Sequence, residues 1–534
     1  MFITHDDRSC DPAYAAIVAE SQTALKSLDY VYVKQKDGRT WLAQVIQPNL
    51  FLPMMGADSL SPTLVHGLKL SQTHKNVRSV ANIYWFKILY LGEITSGTIR
   101  DSGSRPAPGA EVLTPELKEL CAYLNIPVFN DSKTKPNAIG TIVNLSDYSL
   151  CLSPDIFRMH IGVFGSNGCG KSNTGANLIY QATYNNMCAL VHDVKPDYYR
   201  MREPNSDPRV AHLWPDLARF NLGPRGIEKL HGIGFYGMCD INAVDTIIGL
   251  NASDFTGEEL AGLLFHNRNE NLQYEAFADV FMTVQQNKGE GGAFSLEDVL
   301  KLVGTLNPQQ INQGTKLAIL QKAHKRKPVW LDAIGRMIGA GSTLRKVEPF
   351  NIERLAEAGK VILVSYDAAV SDKDYATVVS YFLRTTQNMC AKGRFPAGCK
   401  GMVQFIDEAH RLFDNESLHQ NMLINRFNRV MREGRSKDHA VCMMIQNVDR
   451  IPIGVMNNIN SRLVMKQNAK KMAELATDNF PGEGYSTQAL HLGTGQALVK
   501  FAESNFVLKA QMAPSPFELL RSDNRPGAQR NNLL

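Results

Sequence analysis

The run Gly165-Ser166-Asn167-Gly168-Cys169-Gly170-Lys171-Ser172 fits the pattern G-x-x-x-x-G-K-[ST] at every fixed position. Residues of these types at this spacing hold phosphate. The glycines let the backbone curl until successive N–H groups face an anion, and the helix that opens at Asn173 adds its partial positive charge. Lys171 is then the cation for the β- and γ-phosphates of a nucleotide, and the Ser172 hydroxyl a ligand for Mg²⁺. A glycine-rich strand-to-helix turn made only for tight packing is the bland alternative. The adjacent Lys-Ser pair and the apolar Ile161-Gly162-Val163-Phe164 ahead of the loop argue against it.

Phosphate binding alone does not hydrolyse a nucleotide. The metal needs a carboxylate nearby, and the attacking water needs a base. Phe405-Ile406-Asp407-Glu408-Ala409-His410 offers both at the end of an apolar strand: Asp407 to position Mg²⁺ and Glu408 to polarise water. His410 serves equally well as a cap or a packing residue. A further apolar strand, 441–445, ends in Gln446-Asn447, an amide suited to sensing the γ-phosphate or holding water.

Ahead of that strand stands Arg429-Val430-Met431-Arg432-Glu433-Gly434-Arg435-Ser436-Lys437. Arg432 and Arg435 are candidates for a guanidinium donated across a subunit interface, where its planar fork stabilises charge on a transferring phosphoryl group. A solvated helix end is the competing reading. His192-Asp193-Val194-Lys195-Pro196-Asp197-Tyr198-Tyr199 follows another apolar strand, so Asp193 and Lys195 fall at the edge where α/β sheets bind ligands. Tyr198 and Tyr199 are as suited to packing as to stacking.

These groups require a scaffold of parallel strands with intervening helices. Short bounded apolar runs at 161–164, 189–191, 361–364, 402–406 and 441–445 read as strands buried on both faces. Residues 204–349 read as a helical insertion, with periodic segments at 256–265, 276–286 and 296–303. The chain before residue 130 has a helix-like start (12–26) and then β-rich segments. Tyr30-Val31-Tyr32-Val33 and Trp41-Leu42-Ala43-Gln44-Val45-Ile46 flank a hairpin turn with Gly38, and the whole suggests a small β-barrel. Thr114 reads as the cap of a short helix. The polar stretch 130–136 reads as a linker and 516–534 as a tail that is flexible until docked. The predicted division is therefore a barrel domain at 1–130, an α/β ATPase domain at 131–515 and the tail.

The bulk composition limits the alternatives without selecting one. A net charge of +5, from 57 basic and 52 acidic residues, neither demands nor excludes nucleic acid, so any DNA-binding cations must be locally concentrated. The clusters His324-Lys325-Arg326-Lys327 and Arg345-Lys346 are the densest in the insertion. Nine cysteines without metal-ligand spacing, and no secretory signal, suggest a reduced, cytoplasmic protein. No apolar run approaches the about 20 residues that span a bilayer, so no membrane partner is expected. The cysteine, methionine, asparagine and glutamine content suggests a mesophile.

Read in order, these elements resemble the HerA branch of the HerA/FtsK superfamily. The resemblance runs from about residue 30 to 514. It rests on the barrel, the Arg158-Met159-His160 lead-in to the phosphate loop and the D-x-x-x-[DE]-Y element at 193–198. It continues through the insertion, residues 405–410, Glu433-Gly434-Arg435, the Gln446 strand end and the closing strands. The family reading implies a RecA-like core that uses ATP and Mg²⁺, a homohexameric ring that threads double-stranded DNA, and barrels that dock a nuclease or other effector. It implies work in DNA end processing or antiphage defence. By position it implies that Lys171, Ser172, Asp407, Glu408 and Gln446 form the nucleotide site, that Arg158 contacts a nucleotide, and that Arg432 or Arg435 reaches the neighbouring subunit. A hexameric scaffold that activates an effector, a nuclease or a sirtuin-like NAD hydrolase, is the alternative. The chain departs from the family at Lys195, where histidine is usual, and at Ser436, where lysine is.

Overall fold

A computed structural model describes residues 2–4, 14–19, 25–53, 82–100, 103–107, 109–124, 137–143, 145–211, 227–265, 268–289, 291–339, 344–367, 370–413, 418–481, 484–502, 504 and 506–519. The expected linker at 130–136, and the tail beyond 519, lie outside the described residues.

The chain forms two compact units, Met1–Leu152 with Leu463–Ala513, and Ser153–Arg462 with Pro514–Leu534. In the first, β1 (Phe2–Thr4), β2 (Tyr14–Ala19), β3 (Tyr30–Lys34), β4 (Thr40–Pro53), β5 (Asn82–Thr95), β6 (Thr98–Arg100) and β7 (Glu111–Leu113) make a seven-stranded sheet. Its order is β2-β1-β7-β3-β4-β5-β6, and a further β2–β5 pairing closes six of the strands on themselves. Closure removes the exposed edges that such a sheet would otherwise carry. Val31 and Val33 alternate along β3, and Trp41, Ala43 and Val45 along β4. All five point into one core with Phe86, Ile88 and Val112. The hairpin between β3 and β4 turns at Gly38, whose φ of 91° is left-handed.

Two details of the N-terminal reading are corrected. Residues 14–19 are a strand, because pairing on both sides with β1 and β5 overrides the helix preference of the three alanines there. The short helix is Leu117–Tyr123 with Glu116 at its cap, so Thr114 lies outside it. The unit also takes chain from beyond the predicted boundary at 130. β8 (Asn137–Ile142) and β9 (Leu145–Leu152) form an antiparallel group with the closing strands Gln496–Lys500 and Leu508–Met512. Pairing between segments so distant in sequence leaves no trace in local composition.

The second unit holds β10 (Ile161–Phe164), β11 (Cys188–Asp193), β12 (Leu230–Phe235), β13 (Thr246–Gly249), β14 (Glu348–Pro349), β15 (Val361–Ser365), β16 (Met402–Ile406) and β17 (His439–Ile445). They run parallel in the order β14-β13-β12-β15-β11-β16-β17-β10. Its longer helices among the described residues are α1 (Lys171–Tyr184), α2 (Gly257–Leu264), α3 (Asn271–Lys288), α4 (Leu296–Thr305), α5 (Gln313–Arg326), α6 (Asp372–Ala391) and α7 (Leu418–Glu433).

The expected insertion at 204–349 is helical from α2 to α5, but it also supplies β12, β13 and β14 to the main sheet. β12 is hard to read because Gly232 and Gly234 interrupt its apolar pattern. The structure gives a reason at Gly234: a Cβ there would lie 2.2 Å from the Cys239 sulfur. The helical part is tied to the core by Glu259 of α2, fully buried and paired with Arg384 of α6 and Arg426 of α7. Residues 514–519 dock onto this unit. Phe517 is fully buried edge-on to Tyr180 of α1, and Asn205 donates to the Ser515 carbonyl at 2.8 Å. That part of the predicted tail is therefore fixed by burial.

Candidate nucleotide site

Strand register assembles the site. Phe164 pairs with Ile445, Ile406 with Met443, and His192 with Ile406. The C-terminal ends of β11, β16, β17 and β10 therefore lie in one row, and Asp193, Asp407, Gln446 and Gly165 emerge side by side. Gly165 N–H donates to the Ile445 carbonyl at 3.0 Å, which starts the phosphate loop from the end of the neighbouring strand. Gly168 (φ 73°) and Gly170 (φ 110°) are left-handed. Around Gly168 a Cβ would meet nothing, so the requirement there is conformational and not one of space. Asn167 and Gly168 are exposed at the tip of the loop, while Ser166 and Cys169 are buried, and burial pushes the Cys169 thiol up. Lys171 opens α1, and its ammonium lies inside the curl, donating to the Gly165 carbonyl at 2.8 Å and the Ser166 carbonyl at 2.9 Å. Burial lowers its pKa.

Asp407 is 3% exposed. Its backbone is fixed on both sides, by Tyr375 Oη donating to its carbonyl at 2.7 Å and by its own N–H donating to the His192 carbonyl at 3.2 Å. Its carboxylate Oδ2 has no hydrogen-bond partner among the described residues. Burial, and then the neighbouring Glu408 charge, push its carboxyl up to about 7. A desolvated carboxylate under that strain is a place where a cation is stabilised. The oxygens around it, the Ser172 hydroxyl and the carboxylates of Asp407 and Asp197, are the hard donors Mg²⁺ prefers. The residues fit the metal.

Glu408 is nearly buried and sits at φ 47°, left-handed for a residue with a side chain. Its Oε1 forms an ion pair with Lys195, and Oε2 lies 3.4 Å from His410 Nδ1. Lys195 thus has a partner that its sequence position did not reveal. Asp197, quoted in the sequence only as part of the 193–198 element and given no role there, accepts the Ser172 hydroxyl at 2.7 Å. The Asp193 carboxylate accepts the backbone N–H groups of Asp197 (3.0 Å) and Tyr198 (2.9 Å), which shapes this turn. Tyr198 packs and does not stack, fully buried beneath Gly175 of α1, while Tyr199 is exposed. The acidic residue four places after Asp193 was the available signal for Asp197. Asn173 uses its side-chain oxygen to accept the Ser515 N–H at 2.5 Å. Gln446 is half-exposed at the β17 end, between the phosphate loop and the acidic pair.

The arginines are elsewhere. Arg158 precedes β10, and Arg432 and Arg435 precede β17, so all three lie at the N-terminal edge of the sheet. Even the four residues of β10 put about 13 Å between that edge and the phosphate loop. Arg158 pairs with Asp438 at 2.9 Å, and Arg432 and Arg435 are exposed. The structure does not bring them to the site of their own chain. His160 fixes their segment: Val441 N–H donates to Nδ1 at 3.1 Å, so Nε2 carries the proton and donates to the Met431 carbonyl at 2.9 Å. Lys437 pairs with Glu433, next to Ser436. In the basic clusters, Arg326 pairs with Glu270, Lys327 with Asp332, and Arg345 donates to the carbonyls of Ile241 and Asp245. Lys325 and Lys346 are exposed.

Two family models match this chain, the central domain of helicase HerA over residues 137–385 and the HerA-like C-terminal domain over 371–519. The chain belongs to the HerA-like ATPases of the HerA/FtsK superfamily. A DNA double-strand break repair helicase HerA from Sulfurisphaera tokodaii is 22% identical over 454 residues, covering 82% of this chain and 79% of the relative. Among solved structures, VirB4 of Thermoanaerobacter pseudethanolicus is 12% identical with a TM-score of 0.47, covering 71% of this chain and 96% of that one. The plasmid coupling protein TrwB with ADP and Mg²⁺ is 13% identical with a TM-score of 0.44, covering 75% and 94%. Within the HerA-like match lie both the phosphate loop and the acidic strand. Among the described residues no helix is long and apolar enough to cross a membrane, and Cys151, Cys169, Cys188, Cys239, Cys390, Cys399 and Cys442 are free thiols.

Proposed function

We propose that this chain is an ATP-driven motor on double-stranded DNA that works as a homohexamer, with a nuclease or other effector docked on its N-terminal barrels. The observation that carries the reading is the buried Asp407-Glu408 pair. It stands one strand away from β17, which itself borders the phosphate-loop strand. Two strand spacings of about 4.8 Å put roughly 10 Å between the strand that leads into the phosphate loop and the one that carries Glu408. The phosphate loop and Lys171 bind and orient the nucleotide, and Ser172 and Asp407 hold Mg²⁺. When bound, the metal supplies charge neutralisation to the phosphates. Glu408 accepts a proton from the attacking water, and Gln446 orients that water or contacts the γ-phosphate.

The opposite-edge position of Arg158, Arg432 and Arg435 supports a ring. A guanidinium there completes a site only on a neighbouring subunit, and a parallel sheet repeated head to tail places one edge against the next subunit's other edge. The DNA half of the proposal comes from the HerA relative and from the family. End processing and antiphage defence are both compatible with it.

The test is ATP hydrolysis by wild type and Glu408→Gln, with and without linear duplex DNA, alongside a native mass. Hydrolysis stimulated by DNA, lost in Glu408→Gln, and a mass near six chains are expected. A hexamer whose hydrolysis ignores DNA would replace the motor with the effector scaffold.

A further inference from the structure

Residues 193–198 make one short turn, held at its base by Asp193, and from it two side chains reach the two groups that chemistry needs. Lys195 Nζ pairs with Glu408 Oε1, and Asp197 Oδ2 accepts the Ser172 hydroxyl at 2.7 Å. The other Glu408 oxygen faces His410 Nδ1 at 3.4 Å. The Lys195 ammonium competes with any attacking water for the Glu408 carboxylate, while the Oε2 approach to His410 makes no hydrogen bond.

We propose that Lys195 is a latch on Glu408: the turn 193–198 holds the water-activating carboxylate in an ion pair that must open before each hydrolysis. The proposal rests on the ATPase reading above and names a regulatory residue for the same site.

The two ends of the latch differ in exposure in a way that suits it. The Lys195 side chain is 42% exposed and that of Glu408 only 6%. On release, the ammonium regains water at little cost, while Glu408 stays in place on its constrained backbone. Opening therefore moves the lysine and leaves the base positioned. The opening signal is the nucleotide: the phosphate charge that arrives beside Lys171 competes for the Lys195 ammonium. A ligand shifts such an equilibrium only by what it gains in one state, and that contact is gained only in the open state.

The experiment compares wild type, Lys195→Met, Lys195→Arg and Glu408→Gln. Each is measured for steady-state hydrolysis with and without duplex DNA, and for binding of a fluorescent ATP analogue in EDTA. For Lys195→Met the expected result is a DNA-free kcat raised about fivefold, the factor that a half-exposed ion pair of ordinary strength can hold back. Its KM and its nucleotide affinity in EDTA should change by less than about twofold, and its DNA stimulation should shrink in proportion. Lys195→Arg, which keeps the pair, should return toward wild type. A lower kcat in Lys195→Met would make Lys195 a group that acts on the transferring phosphate and overturn the latch. A raised KM with weaker binding in EDTA would make it a nucleotide-binding cation, and unchanged kinetics would show that the pair restrains nothing. If wild type itself fails to hydrolyse ATP, the ATPase reading fails, a result distinct from each of these. Should Lys195→Met not fold, Lys195→Gln carries the same comparison.

Discussion

At the scale of single residues, burial is the quantity that separates the catalytic groups from the rest. Glu408→Gln keeps the shape and the left-handed backbone but removes the base. Phosphate release should fall by at least about 100-fold while nucleotide affinity stays within about threefold. Equal activity in the variant would move the base elsewhere. The buried histidines make a second prediction. His439 is fully buried, neither ring nitrogen has a hydrogen-bond partner among the described residues, and burial lowers its pKa to about 3. His192 is lowered to about 3 and His160 to about 4, again by burial. A folded-state pKa below the ordinary 6.5 means that the unfolded chain binds the proton better. Stability is therefore complete above pH 6.5 and is lost as pH falls toward the folded values, at roughly 1.4 kcal/mol per pH unit for each such histidine. His439→Leu removes one of these contributions. Its urea-unfolding midpoint should drop less than that of wild type between pH 7.5 and 5.5, and an unchanged drop would refute the assignment.

At the scale of elements, the segment from α7 to β17 is held by close contact. A Cβ on Gly434 would lie 2.2 Å from the His439 carbonyl oxygen and 3.2 Å from His160 Cε1. Gly434→Ala must push the arginine segment off β17, at a cost of about 1–3 kcal/mol. Chemical denaturation should show that loss, and hydrolysis should fall with nucleotide binding retained. A variant of wild-type stability would mean that the segment has room to move. The motif Glu433-Gly434-Arg435 was legible as a motif, yet its edge of the sheet was not, since position relative to the phosphate loop depends on strand direction and order. In the same way Lys195 stood out as a departure from the family, but its partner lies 213 residues further along the chain.

At the scale of the whole molecule, the arginines predict a mixing result. Glu408→Gln and an arginine variant, Arg432→Ala or Arg435→Ala, should each be inactive alone. In mixed rings some sites combine an intact Glu408 with an intact neighbouring arginine, so hydrolysis should partly return. The arginine whose variant complements is the one that acts across the interface, and no recovery with either would place the required cation within the subunit. Native mass spectrometry of the same mixtures should show exchange near six chains.

The sequence by itself determined the phosphate loop, the acidic strand end, five of the parallel-strand segments around them and the family. These are local signals: a loop whose backbone must curl demands its glycines nearby, and a strand buried on both faces must be a continuous apolar run. Tertiary structure alone decided the closure of the barrel through strand 14–19, the strands inside the expected helical insertion and the sharing of 463–513 with the N-terminal unit. It also decided the Lys195–Glu408 and Asp197–Ser172 contacts, and the separation of the arginines from their own site. Each of these depends on which strands become neighbours and in what register, and pairing between distant segments is selected by burial and backbone hydrogen bonding across the whole sheet.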